Sequence, residues 1–105
     1  MAFKKLSTVS LTDLFTEELK RMILTGELRA GEQLPPERQM ASEMNVSLAV
    51  VHAGITRLTA LGFLRVAPRK GIFVADYLRT GDLNTMMAIV DFSGRALDSD
   101  AFDLL

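Results

Sequence analysis

Asn45-Val46-Ser47 leaves only a short turn between two helical patterns, and this spacing constrains the fold more than any other feature of the chain. Ahead of it, Met40, Ala41 and Met44 recur with helical period. Pro35 and Pro36 suit the entrance of that helix, because a missing N–H costs nothing in a first turn. Asn45 tolerates the left-handed conformation that stops a helix. Ser47 can cap the next one, whose inward positions are Val51, Gly54, Ile55 and Leu58 and whose end is Gly62. Two short helices so closely joined predict a helix-turn-helix.

The flanking segments extend this reading. Ser10 and Thr12 are good N-caps, and Asp13, Glu17 and Glu18 lie in the early turns, where the helix dipole favours anions. Leu11, Leu14, Phe15, Leu19, Met22 and Ile23 follow at helical spacing up to Gly26, so a first helix is predicted near 11–25. After Gly62, the Phe63-Leu64-x-Val66 run and Ile72-Phe73-Val74 flank a tight basic turn, Pro68-Arg69-Lys70-Gly71. This predicts a small β-hairpin. The expected fold is therefore mainly α with a small hairpin: a winged helix-turn-helix of three helices plus wing. Asp76 to Asp82 reads as a polar link, Leu83 to Val90 as helical, and Met86-Met87 as core. Asp98 or Ser99 could cap a further helix.

Composition narrows the function classes. The 105 residues allow one small core and the start of another. The absence of cysteine excludes a disulfide framework and thiolate-held zinc. MAFKKLSTVSL lacks the apolar run of a signal peptide, and no stretch has the length of a membrane span, so a cytoplasmic location is expected. Net charge is −1, but residues 1–74 carry ten Lys/Arg against seven Asp/Glu, and residues 75–105 carry two against six. The front of the chain is the part suited to a polyanion. No Ser/His/Asp set, glycine-rich phosphate loop or carboxylate–histidine cluster is present, so no enzyme and no cofactor are expected. The lone His52 lacks companion ligands for a metal.

Gly26-x-Leu28-x-x-Gly31-Glu32-x-Leu34-Pro35-x-Glu37-Arg38, Val46-Ser47, Leu58-x-x-Leu61-Gly62 and Gly71-x-Phe73-Val74 together resemble the N-terminal domain of GntR-family bacterial transcription regulators. The match covers about residues 10 to 75. Tyr77-Leu78-Arg79-Thr80-Gly81-Asp82-Leu83-Asn84 is similar to the linker into the helical effector domain of the fatty-acid-regulator (FadR-like) subfamily. The resemblance implies residues 1–75 as a DNA-binding domain, 76–82 as a linker, and 83–105 as the start of a truncated helical effector-binding domain. It also implies double-stranded operator DNA as partner and a homodimer in the full-length protein. A small-molecule effector would bind only through the missing C-terminal domain.

The residues expected at the DNA are Arg38, Ser47, Leu48, Ala49, His52, Arg57, Arg69, Lys70 and Gly71. The resemblance implies that the third helix enters the major groove and the wing nears the minor groove. An arginine such as Arg38, at a helix start, can hold a phosphate or a guanine edge through two parallel bonds. Arg69 and Lys70 put two cations on a tight turn beside Gly71, and the family often has glycine where Arg69 stands. The third helix departs from the pattern: the family usually has arginine where this chain has Leu48 and His52. Losing two such arginines could remove on the order of 10²–10⁴ in affinity or specificity. Leu48, Ala49 and Val50 could meet thymine methyl groups. The alternative is a winged-helix protein-interaction or dimerisation module with weakened DNA binding, its apolar patch formed by Leu48, Val50 and their neighbours.

Overall fold

The computed structural model describes residues 10–103, with side chains described through Gly94. The reading of the chain start over 1–9 and the last two residues of the 83–105 segment therefore lie outside the described residues. Helix α1 spans Leu11–Leu24. Ser10 Oγ accepts a hydrogen bond from the Asp13 amide at 3.1 Å, and the Asp13 carboxylate accepts one from the Ser10 amide at 3.4 Å. This reciprocal capping box satisfies two amides that the helix cannot. Gly26, at φ +87°, closes the far end, as predicted.

Helices α2 (Glu37–Met44) and α3 (Leu48–Ala60) form the helix-turn-helix. Asn45 adopts φ 55°, ψ 48°. Its amide reaches the Ser42 carbonyl at 3.3 Å, and the Val46 amide reaches that of Ala41 at 3.0 Å. This is the Schellman pattern, which uses carbonyls that would otherwise be orphaned. Ser47 Oγ then accepts from the Val50 amide at 3.1 Å. Both ends of the turn are thus fixed by local bonds, and the angle between the helices is fixed with them. Val51, Gly54, Ile55 and Leu58 face inward against Phe15, Leu19 and Ile23 of α1 and Met40 of α2. A Cβ at Gly54 would lie 2.3 Å from Phe15 Cδ1, so α1 and α3 cross at a separation that only glycine permits.

The hairpin pairs β1 (Leu64–Ala67) antiparallel with β2 (Gly71–Val74), Leu64 opposite Val74 and Ala67 opposite Gly71. Residues 31–34 run along the free edge of β2, a pairing that the sequence did not announce. The Leu34 amide donates to the Ile72 carbonyl at 2.8 Å, and the Val74 amide to that of Glu32 at 2.9 Å. At the tip, the Lys70 amide reaches the Ala67 carbonyl at 3.0 Å across Pro68 and Arg69. Arg69 sits at φ +67°. Proline followed by a positive φ is the type II turn arrangement, whose third position favours glycine. Arg69→Gly is expected to raise stability by up to about 1 kcal/mol, the left-handed cost of a side chain less the chain entropy of glycine. Chemical denaturation checks this, and a lowered midpoint would contradict the strain.

Phe63, Leu64, Ile72 and Val74 complete the core beneath the hairpin. Burying each such side chain contributes about 1.5–3 kcal/mol. The mainly α fold with a small hairpin, the winged helix-turn-helix, is the one expected.

The chain after the hairpin adds a feature within the link and corrects two other expectations. The polar link contains a one-turn helix, α4 (Tyr77–Thr80), and the Tyr77 ring packs 5.4 Å from that of Phe63. Helix α5 runs unbroken over Leu83–Asp103, straight through Asp98 and Ser99, so neither caps a new helix. Such residues prefer caps but do not break a helix, and in an interior position they cost well under about 1 kcal/mol. Met86 and Met87 are 40% and 62% exposed, because the α5 face they share with Leu83 and Val90 is uncovered among the described residues. Thr85, on the other side, is fully buried. Its hydroxyl donates to the Leu61 carbonyl at the end of α3 and accepts from the Asp82 amide at 3.2 Å. Gly62, at φ +89°, leaves room for this: a Cβ there would lie 2.6 Å from Thr85 Oγ1. Among the described residues, no helix is long and apolar enough to cross a membrane.

Candidate nucleic-acid interface

Pro36 is the N-cap of α2, which places Arg38 in the first turn, where the helix dipole and unpaired amides favour an anion. Arg38 is exposed and makes no ion pair among the described residues. The glutamates that could have held it are engaged elsewhere: Glu32 accepts from the Arg29 amide, Glu43 from Gln39, and Glu37 from the His52 ring. A groove of about 480 Å³ opens beside Arg38. Its walls are 33–36 and the start of α2, Leu48 at the start of α3, and Lys70 with Gly71 in the wing. Three segments far apart in sequence therefore place Arg38, Leu48 and Lys70 around one opening.

On α3, Leu48, Ala49, His52, Ala53 and Thr56 form a continuous exposed face. Ser47 stands at its head; its hydroxyl caps the helix as acceptor and keeps its proton free to donate outward. Val50 does not belong to this face. It is half-buried against the core, which leaves Leu48, 43% exposed, as the large apolar side chain that α3 offers. His52 Nδ1 lies 3.2 and 3.4 Å from the two carboxylate oxygens of Glu37 across the α2–α3 turn.

The structure does not gather all the expected residues. Arg57 lies on the flank of α3 toward α1, where its Nη1 donates to Asp13 Oδ1 at 2.6 Å. That guanidinium, with the Ser10 bonds second, holds the Asp13 carboxyl below the usual carboxylate range. Arg57 thus ties two helices together. Gly71, at φ +132°, serves the backbone: a Cβ there would lie 2.5 Å from Gln33 Nε2. Gln33 in turn donates to the Lys70 carbonyl at 2.9 Å and fastens the wing tip to the connection before α2. Arg69 and Lys70 are exposed at that tip and unpaired among the described residues. Behind them the Arg65 guanidinium stacks 4.9 Å over Phe73. Gln33, Glu37 and Asp13 are not singled out for these contacts by residue type or spacing. Among the described residues, no cluster of three or more His, Asp or Glu could hold a metal.

A tight helix-turn-helix, a basic hairpin edge and a shared groove define a winged helix-turn-helix protein. The chain belongs to the gntR family of bacterial regulatory proteins, whose family profile matches residues 13–74. It is 30% identical over 94 residues to the HTH-type transcriptional regulator Mce2R of Mycobacterium tuberculosis, a match covering 90% of this chain and 39% of that protein. It is 26% identical over 95 residues to the Glc operon transcriptional activator of Escherichia coli, covering 90% of this chain and 36% of that one. The chain thus spans about two fifths of the length of these relatives. Among solved structures, the GntR-family transcription factor YtrA of Sulfolobus acidocaldarius superposes with a TM-score of 0.64 at 25% identity, over 95% of this chain and 84% of that one. The DNA-binding domain of AraR, solved with its operator, superposes at 0.62 and 21% identity, over 71% of this chain and 90% of that one.

Proposed function

We propose that this chain is the operator-reading part of a transcription regulator that binds double-stranded DNA. The carrying observation is the groove that unites Arg38, Leu48 and Lys70, since phosphate contact and base contact need cations and a helix face around one opening. In this reading α3 enters the major groove through Ser47, Leu48, Ala49 and His52. Arg38 holds a phosphate or a guanine edge, and Arg69 with Lys70 reaches toward the minor groove. The operator-bound AraR domain supports the reading at the level of fold. The interaction-module alternative is less favoured, because the burial of Val50 shrinks its apolar patch to Leu48 and small residues.

Further parts of the reading concern the longer protein. Residues 1–75 form the DNA-reading domain, 76–82 the link, and 83–105 the start of a helical effector-binding domain of FadR-like type. The full-length protein is a cytoplasmic homodimer whose effector binds in that second domain. Selection from a randomised duplex pool, followed by a salt series on the enriched site, tests the function. Among the described residues, Arg38, Arg69 and Lys70 are interface cations without an ion pair, and each phosphate neutralised contributes about −0.9 to the slope of log K against log salt. The expected result is an enriched palindromic site and a slope of about −3 per bound domain. No binding even at low salt would sink the proposal.

A further inference from the structure

His52 occupies the middle of the exposed α3 face, and its contact with Glu37 fixes which way it can hydrogen-bond. An ionised carboxylate only accepts hydrogen bonds. Nδ1 lies 3.2 Å from Glu37 Oε1 and 3.4 Å from Oε2, and a hydrogen bond there requires the proton on Nδ1. In the neutral ring the second nitrogen, Nε2, is then a bare acceptor. Glu37 is well placed to impose this. It sits in the first turn of α2 with its side chain 27% exposed, while that of His52 is 71% exposed and free to meet a partner. Of the other exposed α3 residues, Leu48, Ala49, Ala53 and Thr56 carry no charge, and Arg57 is paired with Asp13.

We propose that Glu37 is a specificity-determining residue: by holding the proton on His52 Nδ1, it makes Nε2 an acceptor that selects a base-edge amine, adenine N6 or cytosine N4, in the major groove. These amines are the donors that adenine and cytosine present there, whereas guanine presents only acceptors, N7 and O6. An arginine in the place of His52 would favour guanine; the His52–Glu37 pair inverts that preference. The inference rests on the DNA-reading function proposed above.

Two measurements test it, both at about pH 8. Nitrogen-15 spectra of the free protein should show the Nδ1–H tautomer of His52, and Glu37→Ala should shift the population toward Nε2–H. Duplex selection should give wild-type protein a preference for adenine or cytosine at one position of each half-site. His52→Ala should erase that preference, and Glu37→Ala should weaken or reverse it by about five-fold, the worth of one hydrogen bond. An Nε2–H tautomer in the wild type overturns the inference. So does an enriched site with guanine at the His52-dependent position, or one whose base choice is indifferent to Glu37; either leaves the DNA-reading function standing. If the wild type enriches no duplex, the function fails and this inference with it.

Discussion

Arg38→Ala is expected to weaken binding to the enriched duplex by about 5- to 150-fold while leaving the fold unchanged. The range is the worth of one bidentate arginine contact, about 1–3 kcal/mol, at about 1.4 kcal/mol per tenfold. The fold should be spared because the side chain is exposed and without an ion pair among the described residues, and alanine is the best helix former. Thermal melting should therefore agree with wild type within the effect of an ordinary surface substitution, about 0.5 kcal/mol. Arg38→Lys separates charge from geometry. It should preserve the salt slope while losing much of the affinity, since an ammonium cannot form two parallel bonds. Unchanged affinity in Arg38→Ala, measured by fluorescence anisotropy on the enriched site, would mean that DNA does not occupy this groove.

The second large effect concerns stability. Phe63→Ala is expected to cost about 3–5 kcal/mol, a large share of the total for a domain of this size. Phe63 is fully buried and joins several elements. Its amide closes the end of α3 on the Leu58 carbonyl at 3.0 Å, its carbonyl accepts from the Ala75 amide at 2.9 Å, and its ring meets Tyr77. The backbone bonds survive the substitution, so the loss comes from the cavity and from the uncovered Tyr77 ring. The melting temperature should fall by at least about 12 °C. Val66→Ala in β1, at a residue 52% exposed, should change stability by no more than about 0.5 kcal/mol. Equal losses in the two variants would contradict the placement of the core.

What the sequence made legible was local. Ser10, Asn45, Ser47 and Gly62 each act on amides or carbonyls a few residues away, so their roles follow from residue type and position. The inward positions of α3 followed from period alone. The pairings that shape the candidate site are non-local. Arg57 finds Asp13 44 residues away, Gln33 finds the Lys70 carbonyl 37 away, and His52 finds Glu37 across a helix crossing. No spacing rule reaches that far; the partner depends on the angle at which α1, α2 and α3 pack. Arg57 shows the effect most plainly. By residue type, as the remaining cation of α3, it is expected among the candidate DNA contacts; the fold pairs it with Asp13 of α1. Asp98 and Ser99 show the opposite limit: their residue types suggest a helix start, although preference at an end does not forbid an interior place.

The Thr85 hydroxyl bond to the Leu61 carbonyl has a consequence for how the molecule opens. Buried contacts that join two segments make them exchange with solvent as one cooperative unit. The last turn of α3 and the first turn of α5 share that bond, with the close approach at Gly62 behind it. Their fraying is coupled: releasing one strips the Leu61 carbonyl of its hydroxyl donor and leaves Thr85 only its local bonds to Asp82. The helix that faces the groove therefore has its protection against opening set partly by a residue 24 positions further along the chain.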